Sequence, residues 1–487
     1  MLLSKVWMKI FLAVLFSALL TAAGFYWFDL FLLFSLAPLI YAGVSTASFK
    51  RKFLLGYFWG IIVFSFLSYW VTHVAFLGFL SAILYLSLYP GLFTVLISGN
   101  RKFTNPFYIA SLWVSLEFLR SFLFTGFSWG FLGYAFWSRL NFIQIADLFG
   151  IYGVSFAVVL INAALFCFFI EHNRRRKVVN LAVILLIIVC SFCYSRYRLN
   201  SLLSEDSVNN VALVQTNVDS NLKWDLELYR DNLERVRLLG LIAKERGAEL
   251  IIFPETVLPY SWNRDKRVMD DMEGIIEELN RDIILGIPYC QDGKLYNASL
   301  LFNKNGEVKS SYFKNHLVPF GEYLPCDKLL SFLKEFYPVG YYSPGVDSNL
   351  LKYQNNYFSV LICYEDIFPN IARKATLSGA SFLVNQSDEG WFKNSQEVYL
   401  NNQIAVFRAI ENRRSLVRST NTGITCLIDY KGRILSQLDP FRADVLVVDV
   451  PIYKELSIYS KYGLVSLIAI ASIFVLLYSV WNNKKRL

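Results

Sequence analysis

Eight runs of about 20 apolar residues mark this chain, and one polar stretch of roughly 255 residues interrupts them. A hydrocarbon core about 30 Å thick is crossed by about 20 residues in helical form, and in lipid every backbone polar group has to be satisfied within the segment. The runs lie at roughly 8–25, 27–45, 53–72, 75–98, 105–124, 151–170, 178–196 and 463–481. Seven precede the polar stretch and one follows it. The first has Lys5 and Lys9 ahead of it, as a secretory signal would, but more apolar runs follow it instead of a cleavage pattern and a soluble region. It reads as a retained span. With 55% hydrophobic and 17% aromatic residues in 487, the chain is neither a single soluble domain nor a disordered one.

Basic residues set the expected orientation. Lys5 and Lys9, Lys50-Arg51-Lys52, Arg101-Lys102, Arg174-Arg175-Arg176-Lys177 and Lys484-Lys485-Arg486 fall on alternate connections. The connections around Asp29, His73 and 125–150 carry no such clusters. Strict alternation over eight spans puts both termini in the cytoplasm and the polar stretch on the outer side, periplasmic in a bacterium. The net charge of +9 is then cytoplasmic anchoring, and nucleic acid is not expected as a partner. The expected division is 1–198 (seven spans), 199–456 (outer domain) and 457–487 (eighth span and tail).

Within the outer domain, strand-like runs at 211–215, 250–253, 283–289, 297–303, 307–313, 358–363, 381–385, 415–419, 424–429 and 445–449 are interspersed with helical patterns at 225–246, 266–280, 368–379 and 395–412. Such alternation predicts an α/β domain whose sheet is covered by helices, with sites just past strand ends. Glu255 follows the run Leu250–Phe253 and Pro254, and Cys363 follows Phe358–Ile362.

A thiol needs a base or a nearby cation to become a nucleophile at neutral pH. Glu255 is a candidate base if burial raises its pKa, and Lys314 a candidate cation for a thiolate or an oxyanion, with the backbone N–H of Tyr364 beside it. Any one of these residues alone is more often structural or a surface charge; together they read as acyl transfer through a thioester. The chain has only three histidines, and only His316 is in the outer domain, which argues against a multi-His metal site and a Ser-His-Asp triad. None of the four cysteines of the outer domain has CxxC spacing, so no zinc or redox motif is expected there, and a disulfide among Cys290, Cys326, Cys363 and Cys426 stays open. No metal or cofactor is expected.

Glu255, Lys314 in the run Lys314 to Glu322, and Cys363-Tyr364-Glu365 resemble the Glu-Lys-Cys triad of the nitrilase superfamily. Combined with the spans, His316-Leu317-Val318-Pro319-Phe320-Gly321-Glu322 resembles the bacterial apolipoprotein N-acyltransferase family, as do Leu222-Lys223-Trp224 and Arg418 to Gly423. The resemblance implies an α-β-β-α sandwich and ping-pong transfer from a phospholipid, typically phosphatidylethanolamine, through a thioester on Cys363 to a diacylglyceryl-cysteine amine on an apolipoprotein. It implies supporting roles for Glu322 and Glu365, and lipid or apolipoprotein binding by Trp224. Arg418 joins the substrate-contacting candidates. Three departures stand out: Phe253 where the family has Trp, Ser128 where it has Pro, and a longer, more acidic stretch, Asn385 to Phe392, in place of Asn-Asp-x-Trp-Phe.

The aromatic stretch 323–345, with Tyr341 and Tyr342, reads as a lid for acyl chains at the bilayer surface or as ordinary domain packing; Trp391 and Phe392 read the same way. Glu117 and Arg120, three residues apart in the fifth run, shape a head-group site, brace the loop 125–150, or sit near the outer interface. Asn297-Ala298-Ser299 matches a glycosylation acceptor, a common tripeptide given no weight. The rival functions are a membrane-tethered nitrilase-type amidase on small amides and a non-catalytic transporter or scaffold.

Overall fold

The computed structural model describes residues 2–97, 105–201, 206–220, 222–225, 227–325, 327–330, 341–346 and 350–463. All but the first residue of the eighth run at 463–481, together with Arg101-Lys102, Cys326 and the centre of the 323–345 stretch, lie outside the described residues. Residues Leu203–Ser460 form one compact unit and the residues before them another.

In the N-terminal unit, five described helices are long and apolar enough to cross a membrane: Lys5–Tyr26, Phe49–His73, Phe76–Leu96, Ala146–Ile170 and Arg174–Ser201. Two of the expected runs are shorter as helices. The run at 27–45 is a 3₁₀ turn, Asp29–Leu33, followed by the nine-residue helix Ala37–Ser45 with Pro38 in its first turn. Nine residues rise only about 14 Å, half a hydrocarbon core. Asn162 secures the break: it accepts from Leu36 N at 2.8 Å and donates to Leu32 O at 2.7 Å. The run at 105–124 contains the 15-residue helix Pro106–Arg120. Glu117 and Arg120 at its end are buried. Glu117 Oε1 accepts from Trp113 Nε1 and from Leu132 N, each at 3.0 Å, and the Arg120 guanidinium lies 5.0 Å and 4.9 Å from the Phe64 and Phe131 ring centres. Of the readings for this pair, these contacts fit a brace for the following loop.

The second unit holds twelve described strands in two six-stranded sheets. They are β1 (Asp206–Gln215), β2 (Leu250–Ile252), β3 (Asp282–Gln291), β4 (Lys294–Phe302), β5 (Val308–Phe313), β6 (Leu351–Tyr353), β7 (Asn356–Ile362), β8 (Phe382–Ser387), β9 (Ser415–Thr420), β10 (Cys426–Ile428), β11 (Ile434–Gln437) and β12 (Asp444–Ile452). One sheet has the order β12-β1-β2-β3-β4-β5 and the other β11-β10-β9-β8-β7-β6. Short β6 and β11 are absent from the sequence expectations because they are too brief, and β11 too polar, to carry a hydrophobic period.

A dry layer joins the sheets. Val211, Leu213, Ile252 and Leu301 from the first interdigitate with Phe358, Val360, Ile362, Val384 and Val417 from the second. The outer face of the first sheet is covered by the helices Tyr229–Glu245 and Lys266–Leu279, whose Leu233, Val236, Met272 and Ile276 pack onto Ile251, Phe253 and Leu285. The helices Pro369–Leu377 and Glu397–Asn412 pack against the second sheet. The arrangement is helix, sheet, sheet, helix. Among the parallel strands, β2, β8 and β9 are buried at every position because both their faces are covered.

Candidate active site

Glu255 and Lys314 leave the first sheet, just past β2 and β5, while Cys363 leaves the second just past β7. Next to Glu255, β3 carries Gly286: a Cβ there would lie 2.4 Å from Pro254 O and 2.8 Å from Glu255 Cα, so only glycine lets the two backbones meet. Lys314 is 1% exposed, and its Nζ donates to Glu255 Oε1 at 3.2 Å and to Glu322 Oε1 at 2.9 Å. Asn297 Nδ2 bridges the same two oxygens, at 2.8 Å and 2.7 Å. Glu255 Oε2 accepts from Asp388 N at 2.9 Å, and Glu322 Oε2 from Val318 N at 2.7 Å. Two carboxylates and two nitrogen donors thus close a ring. Burial would lower the Lys314 pKa, but Glu255, Glu322 and the Cys363 sulfur outweigh it and hold the ammonium well above its usual range.

Cys363 opens the 3₁₀ turn Cys363–Ile367 in the left-handed region, φ 51°. That conformation ends the strand and turns the side chain out of the β7 ladder. Burial, then the charge of Glu255, push its thiol well up; Lys314 and hydrogen bonding with the Ser387 hydroxyl pull the other way. At rest the sulfur is therefore a neutral thiol. Among the described cysteines, none of Cys167, Cys190, Cys193, Cys290, Cys363 and Cys426 is in a disulfide.

Glu365 lies two residues on and is fully buried. Its carboxylate accepts from Tyr312 Oη at 2.9 Å, Asn315 N at 2.7 Å, His316 N at 3.1 Å and Ile362 N at 2.8 Å. It therefore ties the backbone on either side of Lys314 to the backbone before Cys363. Burial pushes its pKa up to about 7 against the pull of those N–H groups and Lys314. The Tyr364 ring packs on His316 and Phe368, with centres 5.6 Å and 4.9 Å away.

The substrate-contacting candidates divide. Tyr342 N donates to Glu322 O at 3.1 Å, and burial together with Glu322 and Glu255 raises its phenol, so it borders the cluster. Tyr341 beside it is exposed, Trp391 is just over a third exposed, and Phe392 is partly buried. The Trp224 side chain lies outside the described residues. Arg418 departs from expectation: it is 0% exposed, and its guanidinium is committed to Asp366 Oδ2, at 2.8 Å, and to Glu389. In this structure it is an internal ion pair without surface to offer a substrate. Nor does the stretch 385–392 face outward with its acids. Asp388 is paired with Lys223 and accepts from Ser220 Oγ at 2.8 Å and Asn421 Nδ2 at 2.7 Å, while Glu389 is taken by Arg418.

Asn297 and Ser387 were not among the sequence candidates. The available signal was the same for both: a polar side chain within or ending an otherwise apolar strand, which burial obliges to find a partner. The donors and acceptors brought together suit proton transfer and oxyanion stabilisation around one sulfur. Among the described residues no cluster of His, Cys, Asp and Glu is suited to a metal.

Comparison with known proteins agrees with this architecture. Residues 210–454 match the carbon-nitrogen hydrolase family, and residues 16–164 match the apolipoprotein N-acyltransferase N-terminal domain. The chain is 33% identical over 439 residues to the apolipoprotein N-acyltransferase of Geobacter metallireducens, covering 85% of this chain and 84% of that one. It is 30% identical over 472 residues to that of Pasteurella multocida, covering 91% and 89%. Among solved structures, an amidase from Nesterenkonia sp. aligns over 52% of this chain and 94% of its own at 21% identity, TM-score 0.40. Fold and site thus define a carbon-nitrogen hydrolase domain in a membrane protein with several apolar helices. More narrowly, the chain belongs to the apolipoprotein N-acyltransferase family.

Proposed function

We propose that this acyltransferase moves an acyl chain from a membrane phospholipid, phosphatidylethanolamine in the first instance, to the α-amino group of a diacylglyceryl-cysteine on an apolipoprotein. The observation that carries the reading is the convergence of Glu255, Lys314 and Cys363 from the ends of three strands in two sheets. Because the resting thiol is neutral, Glu255 takes its proton as the sulfur attacks the ester carbonyl. Lys314 spends two of its three N–H bonds on Glu255 and Glu322. The third, with Tyr364 N–H, stabilises the developing oxyanion. Collapse forms the thioester, and the lysophospholipid alkoxide leaves with the proton held by Glu255. The acceptor amine then attacks the thioester carbon, gives a proton to Glu255, and expels the thiolate; an amide forms, and the thiolate recovers its proton. Glu322 orients Lys314, and Trp224, Tyr341, Tyr342, Trp391 and Phe392 border the path of the chains.

The topology proposed with it is eight spans in the bacterial inner membrane, both termini cytoplasmic and residues 199–456 periplasmic, supported by the alternation of basic clusters.

Mass spectrometry of the protein incubated with phospholipid tests the chemistry. An acyl adduct on Cys363 that disappears on addition of a diacylglyceryl peptide, and never forms in Cys363→Ala, is the expected result. An active preparation without that adduct refutes the covalent route. Hydrolysis of the adduct without transfer to the peptide would favour the amidase reading.

A further inference from the structure

The sulfur of Cys363 has a neighbour outside the Glu255–Lys314 ring. β7 and β8 run parallel with Ile362 in register with Gln386, so Cys363 and Ser387 reach the sheet end side by side. Ser387 is 1% exposed, and its hydroxyl has two partners: the Cys363 sulfur and, at 3.4 Å, Oε1 of Glu389. Asn385 fastens the strand ends together, its Nδ2 donating to Leu361 O at 3.0 Å and Cys363 O at 3.4 Å. These bonds hold the two strand ends, and with them the Ser387 and Cys363 backbones, side by side. Glu389 is already held by Arg418 and, at 3.3 Å, by Asn401 Nδ2, and Gly423 leaves it room: a Cβ there would collide with Glu389 Oε2.

We propose that Ser387 is a catalytic hydroxyl that turns its one hydrogen from Glu389 to the Cys363 sulfur whenever that sulfur is a thiolate. A hydroxyl has a single hydrogen and two acceptor sites. In the resting site the hydrogen points to Glu389, and the Ser387 oxygen faces the thiol. Once the thiol proton passes to Glu255, the sulfur becomes an anionic acceptor and the hydrogen rotates onto it; no covalent bond of Ser387 breaks. The exchange favours sulfur because Glu389 gives up only a 3.4 Å bond while keeping Arg418 and Asn401, whereas the new thiolate gains a charge-assisted bond. The same rotation recurs when the thioester is aminolysed and the thiolate leaves.

The inference rests on Cys363 being the nucleophile, and the test separates the two claims. Full-length protein in detergent is alkylated with iodoacetamide across pH, the Cys363 peptide is quantified, and thioester formation from phospholipid is timed. One lost charge-assisted hydrogen bond, roughly 1.4 kcal/mol, predicts that Ser387→Ala raises the alkylation midpoint by about one pH unit and slows thioester formation about tenfold. Ser387→Thr keeps the hydroxyl and is expected to stay close to the parent. An unchanged midpoint and rate in Ser387→Ala overturns the proposal, as does a Ser387→Thr variant as impaired as the alanine. If Ser387→Ala does not fold, Ser387→Gly gives the same comparison with the same expected shift. A parent protein that forms no Cys363 thioester refutes the acyl-transfer reading instead.

Discussion

The hydroxyl of Tyr312 lies 2.9 Å from both carboxylate oxygens of Glu365, joining β5 of one sheet to the turn after β7 of the other. This contact spans the dry layer between the sheets where Lys314 and Cys363 face each other. Glu365 also takes the N–H groups of Asn315 and His316, so Lys314 is carried on backbone that the turn opened by Cys363 holds in place.

Tyr312→Phe removes that hydroxyl and little else. The protein is expected to fold, losing about 1–3 kcal/mol of stability, with the rate of thioester formation reduced more than phospholipid binding. Thermal unfolding and single-turnover kinetics at saturating phospholipid measure the two effects. Full-rate chemistry in a destabilised Tyr312→Phe protein would show that the contact serves only the fold.

Stability is expected to fall as pH rises from about 5 to 8. Burial raises Glu365 from 4.5 to about 7 and Asp366 from 3.8 to about 6, so between those values the folded chain binds more protons than the unfolded one. Their contribution is fully present below about pH 4 and is lost as pH passes 6 to 7. Unfolding midpoints at pH 5, 6.5 and 8 test the sign. Glu365→Gln, a mimic of the protonated carboxyl, should flatten the slope.

Arg418→Met should be among the costliest substitutions in the domain, about 3–5 kcal/mol, because it strands Asp366 and Glu389 in a dry interior. A substrate-contact role would instead give a stable protein with weakened lipid binding. The unfolding midpoint and the phospholipid concentration dependence distinguish the two.

Gly286→Ala would press a methyl group into the Pro254 carbonyl and the Glu255 backbone. The expected result is a folded protein in which Glu255 is displaced from Lys314, with thioester formation slowed at least about 100-fold, as misplacement by about 1 Å can cost that much. Near-normal rates would mean that β2 and β3 separate without moving the carboxylate.

Glu255, Lys314 and Cys363 stood out in the sequence because each follows a strand-like run, and strand ends are where α/β sheets place their chemistry. Their partners were harder to find. Asn297 sits in a tripeptide that reads as a glycosylation acceptor, yet its amide lies between Glu255 and Glu322, 42 and 25 residues away. Arg418 read as a substrate contact because its partners Asp366 and Glu389 are 52 and 29 residues distant, and no local pattern announces such a pairing. In the N-terminal unit, hydropathy registers how apolar a run is but not whether its helix is continuous. The break before Ala37 depends on Asn162, more than a hundred residues later.

The two sheets contribute unequal halves of the proposed reactive centre, Glu255 and Lys314 from one, Cys363 and Ser387 from the other. Under the proposed mechanism, a nascent chain whose sheets have not yet met carries a thiol with neither base nor cation beside it. Completion of the sandwich is then also the step that arms the sulfur.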